Sequence, residues 1–402
     1  MRILITSFGS AGDVQPFVAL ASELQRRGHQ IVFALPASLL SYPQRLGFSS
    51  VRLGPDLREA EEELMRTGTR NEGLSEEQLI AVWTPVIAAM PEALGQLRAM
   101  SAEADLLISA STMPLGRIVH DLTGIPFVAI RPNFSTAGVS VIEEDQHLFV
   151  AVTNQLRAQL GLAPIQQIPS GRYSPQLTLF PMSRRILPPE PDWPAHYRVT
   201  GFFFLDEPGW QPDPALAAFL ATGPAPVLIS LGSMMHDDPA ALTRRLLAAI
   251  DQVGCRALVQ QGWSGLGQDA PLSPDALAIG YAPHSWLLPR TVGAVYHGGA
   301  GTTAAILRAG VPAVVIPHFT AGDQFDIARC MQELGCAPEP IPFAELSVER
   351  LSTALRELLA NPQYQRAAVR LRDEIEDEHG VETACALIEE LVASLRQPAS
   401  QA

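Results

Sequence analysis

Apolar residues along this 402-residue chain come in short unbroken blocks separated by amphipathic stretches. That alternation belongs to an α/β domain. Residues 2–8 form the first block. A turn of small residues, Gly9-Ser10-Ala11-Gly12-Asp13, follows it; Phe17, Leu20, Ala21 and Leu24 then share one helical face until Gly28 stops the run. Residues 31–35 are the next strand. Strand, tight turn, helix and strand open a doubly wound domain. Blocks at 105–110 and 126–131 extend the same sheet and bracket a helix over 115–122 that ends at Gly124. Residues 57–100 read as acidic helices, and a further helix is predicted near 148–160.

The pattern then restarts. Residues 227–231, Gly232-Ser233 and a helix over 239–253 repeat the opening unit, and ILITSFGS and VLISLGS are alike. Further strands are predicted at 257–260, 278–281, 293–296 and 313–317, and helices at 348–359, 362–378 and 381–396. Between the halves, residues 164–226 are crowded with proline and read as an interdomain connection. The expected division is an N-terminal domain over 1–200, a connection over 201–224, a C-terminal domain over 225–380, and a last helix over 381–402 that ends in a disordered tail.

One stretch carries the densest chemistry. Residues 292–324 read VGAVYHGGAGTTAAILRAGVPAVVIPHFTAGDQ. An apolar run ends at Tyr296. His297, small residues from Gly298 to Gly301, and the hydroxyls of Thr302 and Thr303 follow, then a helical run over 302–308 stopped by Gly310 and Pro312. A glycine turn that feeds a helix N-terminus presents free backbone N–H groups and the positive end of the helix dipole. That suits a phosphate or diphosphate. His297 can add a hydrogen bond or a positive charge there. Asp323 and Gln324, after the next apolar run, can bind hydroxyls. Diphosphate donors beside hydroxyl acceptors suit a nucleotide sugar.

This stretch resembles the nucleotide-binding signature of family 1 glycosyltransferases with the GT-B fold. HGGAGTT is the form carried by the branch of sterol glucosyltransferases and of macrolide and glycopeptide antibiotic glycosyltransferases. The phrases PPEPDWPAHYRVTGFFFLDEP and WQPDPALAAFL resemble the same branch, so the likeness runs through most of the chain. It implies an α/β fold of two Rossmann-like doubly wound domains facing a central cleft, with the acceptor in the first, the nucleotide sugar in the second, and the last helix crossing back to brace the first. It implies an inverting transfer of a hexose, glucose from UDP-glucose foremost, to a hydroxyl of a lipophilic small molecule such as a sterol, triterpenoid, flavonoid or macrolide.

The resemblance also assigns residues. Relatives carry a catalytic aspartate in G-[ST]-R-G-D-V, which falls on Asp13; Ala11 stands here for the usual arginine. Read from the turn alone, Asp13 is first a helix cap, and it is the resemblance that makes it the base. Ser10 and Gly12 of that turn are placed on the donor. So are Ser233 on the diphosphate, His297 with Gly299, Ala300, Gly301, Thr302 and Thr303 around the phosphates, and Asp323-Gln324 on the sugar. Tyr281-Ala282-Pro283-His284 matches the plant W-A-P-Q, whose tryptophan stacks on uracil, although a tyrosine there also reads as core. The plant glutamate for the ribose is replaced by Ala305, so ribose recognition must differ. Each hydroxyl or histidine has its plain structural reading too, as cap, turn or strand-end residue. Trp286 reads as packing. Trp83, Met90, Phe134 and Phe149 read as core, or as walls of an acceptor cavity.

Composition narrows the field. All 28 basic residues are arginine. Without lysine there is no Schiff base, no pyridoxal phosphate enzyme and no Walker-A lysine. A net charge of −14 argues against nucleic acid as a partner. Four cysteines without a C-x-x-C pair fit buried thiols in a reducing cytoplasm. No D-x-D and no histidine pair at metal spacing occurs, so no metal and no cofactor beyond the sugar donor is expected. No signal peptide and no membrane-spanning run is read. Rival readings are a GT-B nucleotide-sugar epimerase or hydrolase, a nicotinamide oxidoreductase, against which GSAGDV lacks the glycine spacing, and a non-catalytic binding module.

Overall fold

The computed structural model describes residues 1–56, 59, 76–132, 143–318 and 323–396. These form two compact units. The described residues of the first lie within 1–204 and 378–396, those of the second within 205–377.

The first unit is built on a seven-stranded parallel sheet. Its strands are β1 (Arg2–Thr6), β2 (Gln30–Leu35), β3 (Ser49–Arg52), β4 (Leu106–Ala110), β5 (Phe127–Ile130), β6 (Leu177–Phe180) and β7 (Tyr197–Val199), in the order β3-β2-β1-β4-β5-β6-β7. The order reverses between β1 and β4, where Ile3 pairs with Ile31 on one side and Leu106 on the other. Open sheets of this kind bind ligands beyond the strand carboxyl ends at that reversal. Helices α1 (Ala11–Arg26), α2 (Glu76–Ser101), α3 (Leu115–Thr123) and α4 (Glu143–Gln159) join the strands. The predicted face of α1 is the buried one: Phe17, Leu20, Ala21 and Leu24 are inaccessible to solvent.

The second unit repeats the plan with β8 (Val227–Ser230), β9 (Ala257–Gln260), β10 (Ala276–Ile279), β11 (Gly293–Tyr296) and β12 (Ala313–Val315). All five are parallel, in the order β10-β9-β8-β11-β12, with the reversal between β8 and β11. Its helices are α5 (Pro214–Ala221), α6 (Pro239–Val253), α7 (Ala300–Ala309), α8 (Asp323–Glu333), α9 (Val348–Ala360) and α10 (Pro362–Glu376).

The final helix, α11 (Gly380–Arg396), packs on α1 of the first unit. Glu389 accepts hydrogen bonds from Arg27 Nη1 and His29 Nε2, each at 2.9 Å. Glu378 Oε1, just before the helix, accepts from Ser183 Oγ at 3.0 Å and the Arg184 N–H at 2.9 Å.

Several expectations are corrected. The proline-rich stretch 164–226 is no bare connection, since it holds β6, β7 and α5. Pro181 and Pro194 lie outside these short strands, which the buried Leu177, Thr178 and Leu179 anchor to the sheet. The edge strand β3 reads Ser-Ser-Val-Arg and had no apolar block to reveal it. The strand predicted at 278–281 ends at Ile279, so Tyr281 stands beyond it. Helix α7 begins at Ala300 rather than 302, which makes the small residues its first turn.

A buried ion network holds α3 against α4. Asp121 accepts from Arg157 Nη1 at 2.6 Å and Arg117 Nε at 2.8 Å. Burial alone would raise the Asp121 pKa, but the two guanidinium groups hold it below the usual carboxylate value. Arg157 is 6% exposed. Asp121→Ala would leave that charge buried and unpaired, a change that costs about 3–5 kcal/mol. A clear fall in Tm is expected, and Asp121→Asn should lose less because the amide oxygen still accepts.

Candidate functional site

In the first unit, β1 ends at Thr6 and α1 begins at Ala11, with Ser10 as its N-cap. Asp13 is the third helical residue and its carboxylate turns back over the cap. Oδ2 accepts from the Ser10 N–H at 2.7 Å and from Ser10 Oγ at 3.0 Å. Ser7 Oγ donates to the Asp13 carbonyl at 3.0 Å. Gly9 makes this possible. Its φ is +123°, and a Cβ there would lie 2.5 Å from Asp13 Oδ2. Oδ1 takes no hydrogen bond among the described residues. Burial raises the Asp13 pKa above that of an ordinary aspartate, against a smaller lowering by Ser10. The result is a half-buried carboxyl with one oxygen spent and the other open, more basic than usual. The cap reading of Asp13 does not exclude the base reading, since only one oxygen serves the cap.

A cavity opens beside this turn, with about 530 Å³ of empty space that includes open solvent. It sits at the reversal point, between the ends of β1 and β4. Ser7 and Phe8 line it from one side, Thr112 and Met113 from the other, and Val86, Ala89, Met90 and Ala93 of α2 form a wall. Those four follow a helical i, i+3, i+4, i+7 spacing. Met90 is thus both core and cavity wall. Trp83 packs against the core cluster instead and is absent from the lining. Phe134 and the side chain of Phe149 lie outside the described residues. Thr112 and Ser7 were not picked out from sequence. Thr112 Oγ1 is buried without a hydrogen-bond partner, and nothing in its local pattern announces that.

In the second unit, His297, Gly298 and the N-cap Gly299 join β11 to α7. The first backbone bond into the helix runs from the Thr303 N–H to the Gly299 carbonyl, at 2.9 Å. The N–H groups of Ala300, Gly301 and Thr302 therefore have no helical acceptor. The Ser233 and Thr302 hydroxyls, each half-buried, make no hydrogen bond among the described residues. Ser233 follows β8 and His297 follows β11, so these donors gather at the reversal point of the second sheet.

The imidazole of His297 fits where two side chains are missing. A Cβ on Gly299 would lie 2.3 Å from its Nε2, and one on Gly232 would lie 2.7 Å from its Cε1. Burial, offset in part by the Ser230 backbone, pushes its pKa down to about 4. The ring is therefore neutral at physiological pH. Of the two contributions open to it, a hydrogen bond or a positive charge, burial favours the hydrogen bond.

Other expectations divide. Thr303 is 1% exposed; its Oγ1 lies 2.9 Å from the Gly299 carbonyl and 3.0 Å from the Tyr296 hydroxyl, so the side chain faces inward. Gln324 is 3% exposed; Oε1 accepts from the His318 N–H at 2.9 Å and Nε2 meets Met234 Sδ at 3.4 Å, so both amide atoms are engaged inside the unit rather than turned out to a sugar. Asp323 is half-buried, and its Oδ1 accepts from the Gln324 N–H. Tyr281 is 49% exposed, so it is no core residue, and its hydroxyl donates to Glu207. Ala282 is buried, and its carbonyl lies 3.4 Å from Gln260 Nε2. Ser10 and Gly12 stand in the first unit beside Asp13, and both donor groups of Ser10 serve the carboxylate. Among the described residues no cluster of three metal-ligating side chains occurs, and no helix is long and apolar enough to cross a membrane.

Comparisons with known proteins agree with this layout. Residues 3–140 match the glycosyltransferase family 28 N-terminal domain, and residues 246–389 match the erythromycin biosynthesis protein CIII-like C-terminal domain. The chain is 33% identical to the O-mycaminosyltylonolide 6-deoxyallosyltransferase of Streptomyces fradiae, over 97% of each chain. It is 31% identical to a sterol 3-beta-glucosyltransferase of Arabidopsis thaliana, over 96% of this chain and 67% of that one. Among solved structures it resembles the glycosyltransferase of kitacinnamycin, with a TM-score of 0.74 and 21% identity over 97% of this chain and 99% of that one. The epimerase reading finds no support in these names.

Four histidines of the second unit give a pH signature. Burial holds His236, His284 and His297 at about 4 and His318 well below its ordinary value. Unfolded, each binds a proton near 6.5. The unfolded state thus takes up more protons between about 6.5 and 4, so this contribution is intact above that window and lost as pH falls through it. Burial raises Asp13 and Glu378 of the first unit, which work in the opposite sense. Tm is expected to fall from pH 7 to pH 4.5, with a shallower fall in His297→Asn. An identical curve for that variant would show that His297 takes no part.

Proposed function

The chain belongs to the GT-B glycosyltransferases, in the branch that includes macrolide glycosyltransferases and sterol glucosyltransferases, and on that premise we propose that it moves a hexose from a nucleoside diphosphate to a hydroxyl of an apolar small molecule, with inversion. The observation that carries this is the set of unspent donors at the second reversal point. Three first-turn N–H groups and two hydroxyls await an acceptor of high negative charge.

The diphosphate is taken there. As the bond to the sugar breaks, negative charge grows on the departing phosphate. Donors already in position stabilise it without reorganisation. Neutral His297 joins them as a hydrogen-bond donor. We read the transfer as metal-independent, because the amides and the dipole of α7 supply that stabilisation. The apolar cavity of the first unit takes the acceptor. Asp13 removes the acceptor proton as its oxygen attacks the anomeric carbon, through Oδ1, the oxygen that the cap leaves open. Its raised pKa makes it a stronger base than a solvated aspartate. A single displacement inverts the anomeric centre.

UDP-glucose is the donor we favour, on the sterol glucosyltransferase likeness; the deoxyallosyltransferase likeness favours a deoxysugar instead. A screen of UDP-glucose and TDP-deoxysugars against sterols, triterpenoids, flavonoids and macrolides, read by mass spectrometry, separates the two. Product is expected from a flat lipophilic alcohol and should persist in EDTA. Release of free sugar or an epimer without any acceptor would overturn the transferase reading.

Asp13→Asn tests the base. A carboxyl whose folded pKa is raised contributes stability below its unfolded pKa and loses it as pH rises through the folded one. At neutral pH the ionised form therefore destabilises the fold. The amide keeps an acceptor for Ser10 and carries no charge. Transfer should fall by orders of magnitude, while UDP binding is unchanged and Tm is equal or higher. Unchanged turnover would remove Asp13 from the chemistry.

A further inference from the structure

Three aromatic rings are exposed among the described residues: Trp263, Tyr281 and Phe325. All three belong to the second unit. Trp263 and Tyr281 follow the neighbouring strands β9 and β10, and Phe325 lies in the first turn of α8. Isolated exposed apolar side chains need no explanation, but exposed rings gathered on one unit in this way do.

The sheet order gives Trp263 its place. Along the carboxyl edge, Tyr281 follows β10, Trp263 follows β9, Ser233 follows β8 and His297 follows β11. Strands lie about 4.8 Å apart, so the edge from β10 to β11 measures about 14 Å. A ligand stretched from the Tyr281 ring to the donors beside His297 must cross the end of β9. Two hydrogen bonds hold the loop after that end beside the turn that follows β8. The Trp263 N–H donates to the Gly232 carbonyl at 3.1 Å, and Ser264 Oγ donates to the Met234 carbonyl at 2.6 Å. The indole itself is 37% exposed, and its N–H makes no hydrogen bond among the described residues.

We propose that Trp263 is a further nucleotide-binding residue, whose indole packs against the nucleoside where it passes over β9, between the base on Tyr281 and the diphosphate at β8 and β11. The inference rests on the reading of this edge as the donor site. A flat apolar ring binds a nucleoside without reading its sequence of polar groups, so uracil and thymine nucleotides should both feel it. The ring is the working part, so phenylalanine should replace it.

The test is calorimetric titration of the full chain with UDP and with TDP, for wild type, Trp263→Ala and Trp263→Phe, with Tm measured on each. Trp263→Ala should weaken UDP and TDP by roughly tenfold, the scale of one lost aromatic packing contact. Trp263→Phe should stay within about twofold of wild type, as a retained aromatic contact implies. Tryptophan fluorescence gives a second readout that does not depend on the alanine variant folding. UDP should quench wild type, and the quench should vanish in Trp263→Phe although binding remains. An alanine variant that binds as wild type, or a quench that survives in Trp263→Phe, overturns the inference and leaves the donor-site reading standing. Wild type that binds neither UDP nor TDP overturns both.

Discussion

Three backbone N–H groups that α7 cannot satisfy are the constraint on which the second unit depends. A helix always leaves such donors at its start, and a side-chain cap usually takes one of them. Here the cap is Gly299, which has no side chain to offer. The one nearby hydroxyl that turns back to the helix is Thr303, and it bonds the Gly299 carbonyl, an acceptor, rather than an amide. The donors are left open, at the point of the sheet where strand order reverses. The His297 ring fills the space that two glycines leave, at the cost of a buried, neutral imidazole. Polar satisfaction is given up locally, and the large cores of the two sheets make that tolerable.

The first unit settles a similar conflict inside one residue. Asp13 is a helix-capping partner and, in the proposed reaction, a base. Each role wants something different of a carboxylate. A cap wants charge and hydrogen bonds, which lower the pKa; a base wants a proton affinity above the ordinary. The structure divides the two oxygens between these demands, and burial decides the sum in favour of a raised pKa. Gly9 supports both by admitting the carboxylate into space that any side chain would fill.

Much of this was legible in the residues, and the exceptions have physical causes. The opening strand, the buried face of α1 and the strands at 227–231 and 293–296 were readable because parallel strands are continuous apolar runs and surface helices are amphipathic. The turn GSAGD and the stretch HGGAG could be read as sites because few side chains tolerate such backbones. Strands β6 and β7 were hidden by length and by flanking prolines, and β3 by its polar edge position. The inward turn of Thr303 and Gln324 could not be read at all. A threonine in a first helical turn points out or back according to what lies behind it, here the Tyr296 hydroxyl. The amide of Gln324 was claimed by His318 and Met234, residues brought near only by the fold. The neutrality of His297 depends likewise on burial, which spacing does not report. Thr112 carries no motif, and Glu207 stands in a phrase that was read only as a likeness; their interest comes from what stands beside them.

The first unit joins segments that lie before and after the second in the chain. Helix α1 and Arg27, which caps its end, meet a helix translated more than 350 positions later, the separation of Arg27 from Glu389 being 362. On the ribosome, the strands of the first sheet emerge early, but α11, the partner of α1, appears only after the described segment of the second unit. The described residues of the second unit, by contrast, lie in one continuous segment, 205–377, which is complete before α11 is made. Order of completion therefore runs opposite to order of synthesis: the half that begins first finishes last, and its outer helix remains uncovered through the making of the other.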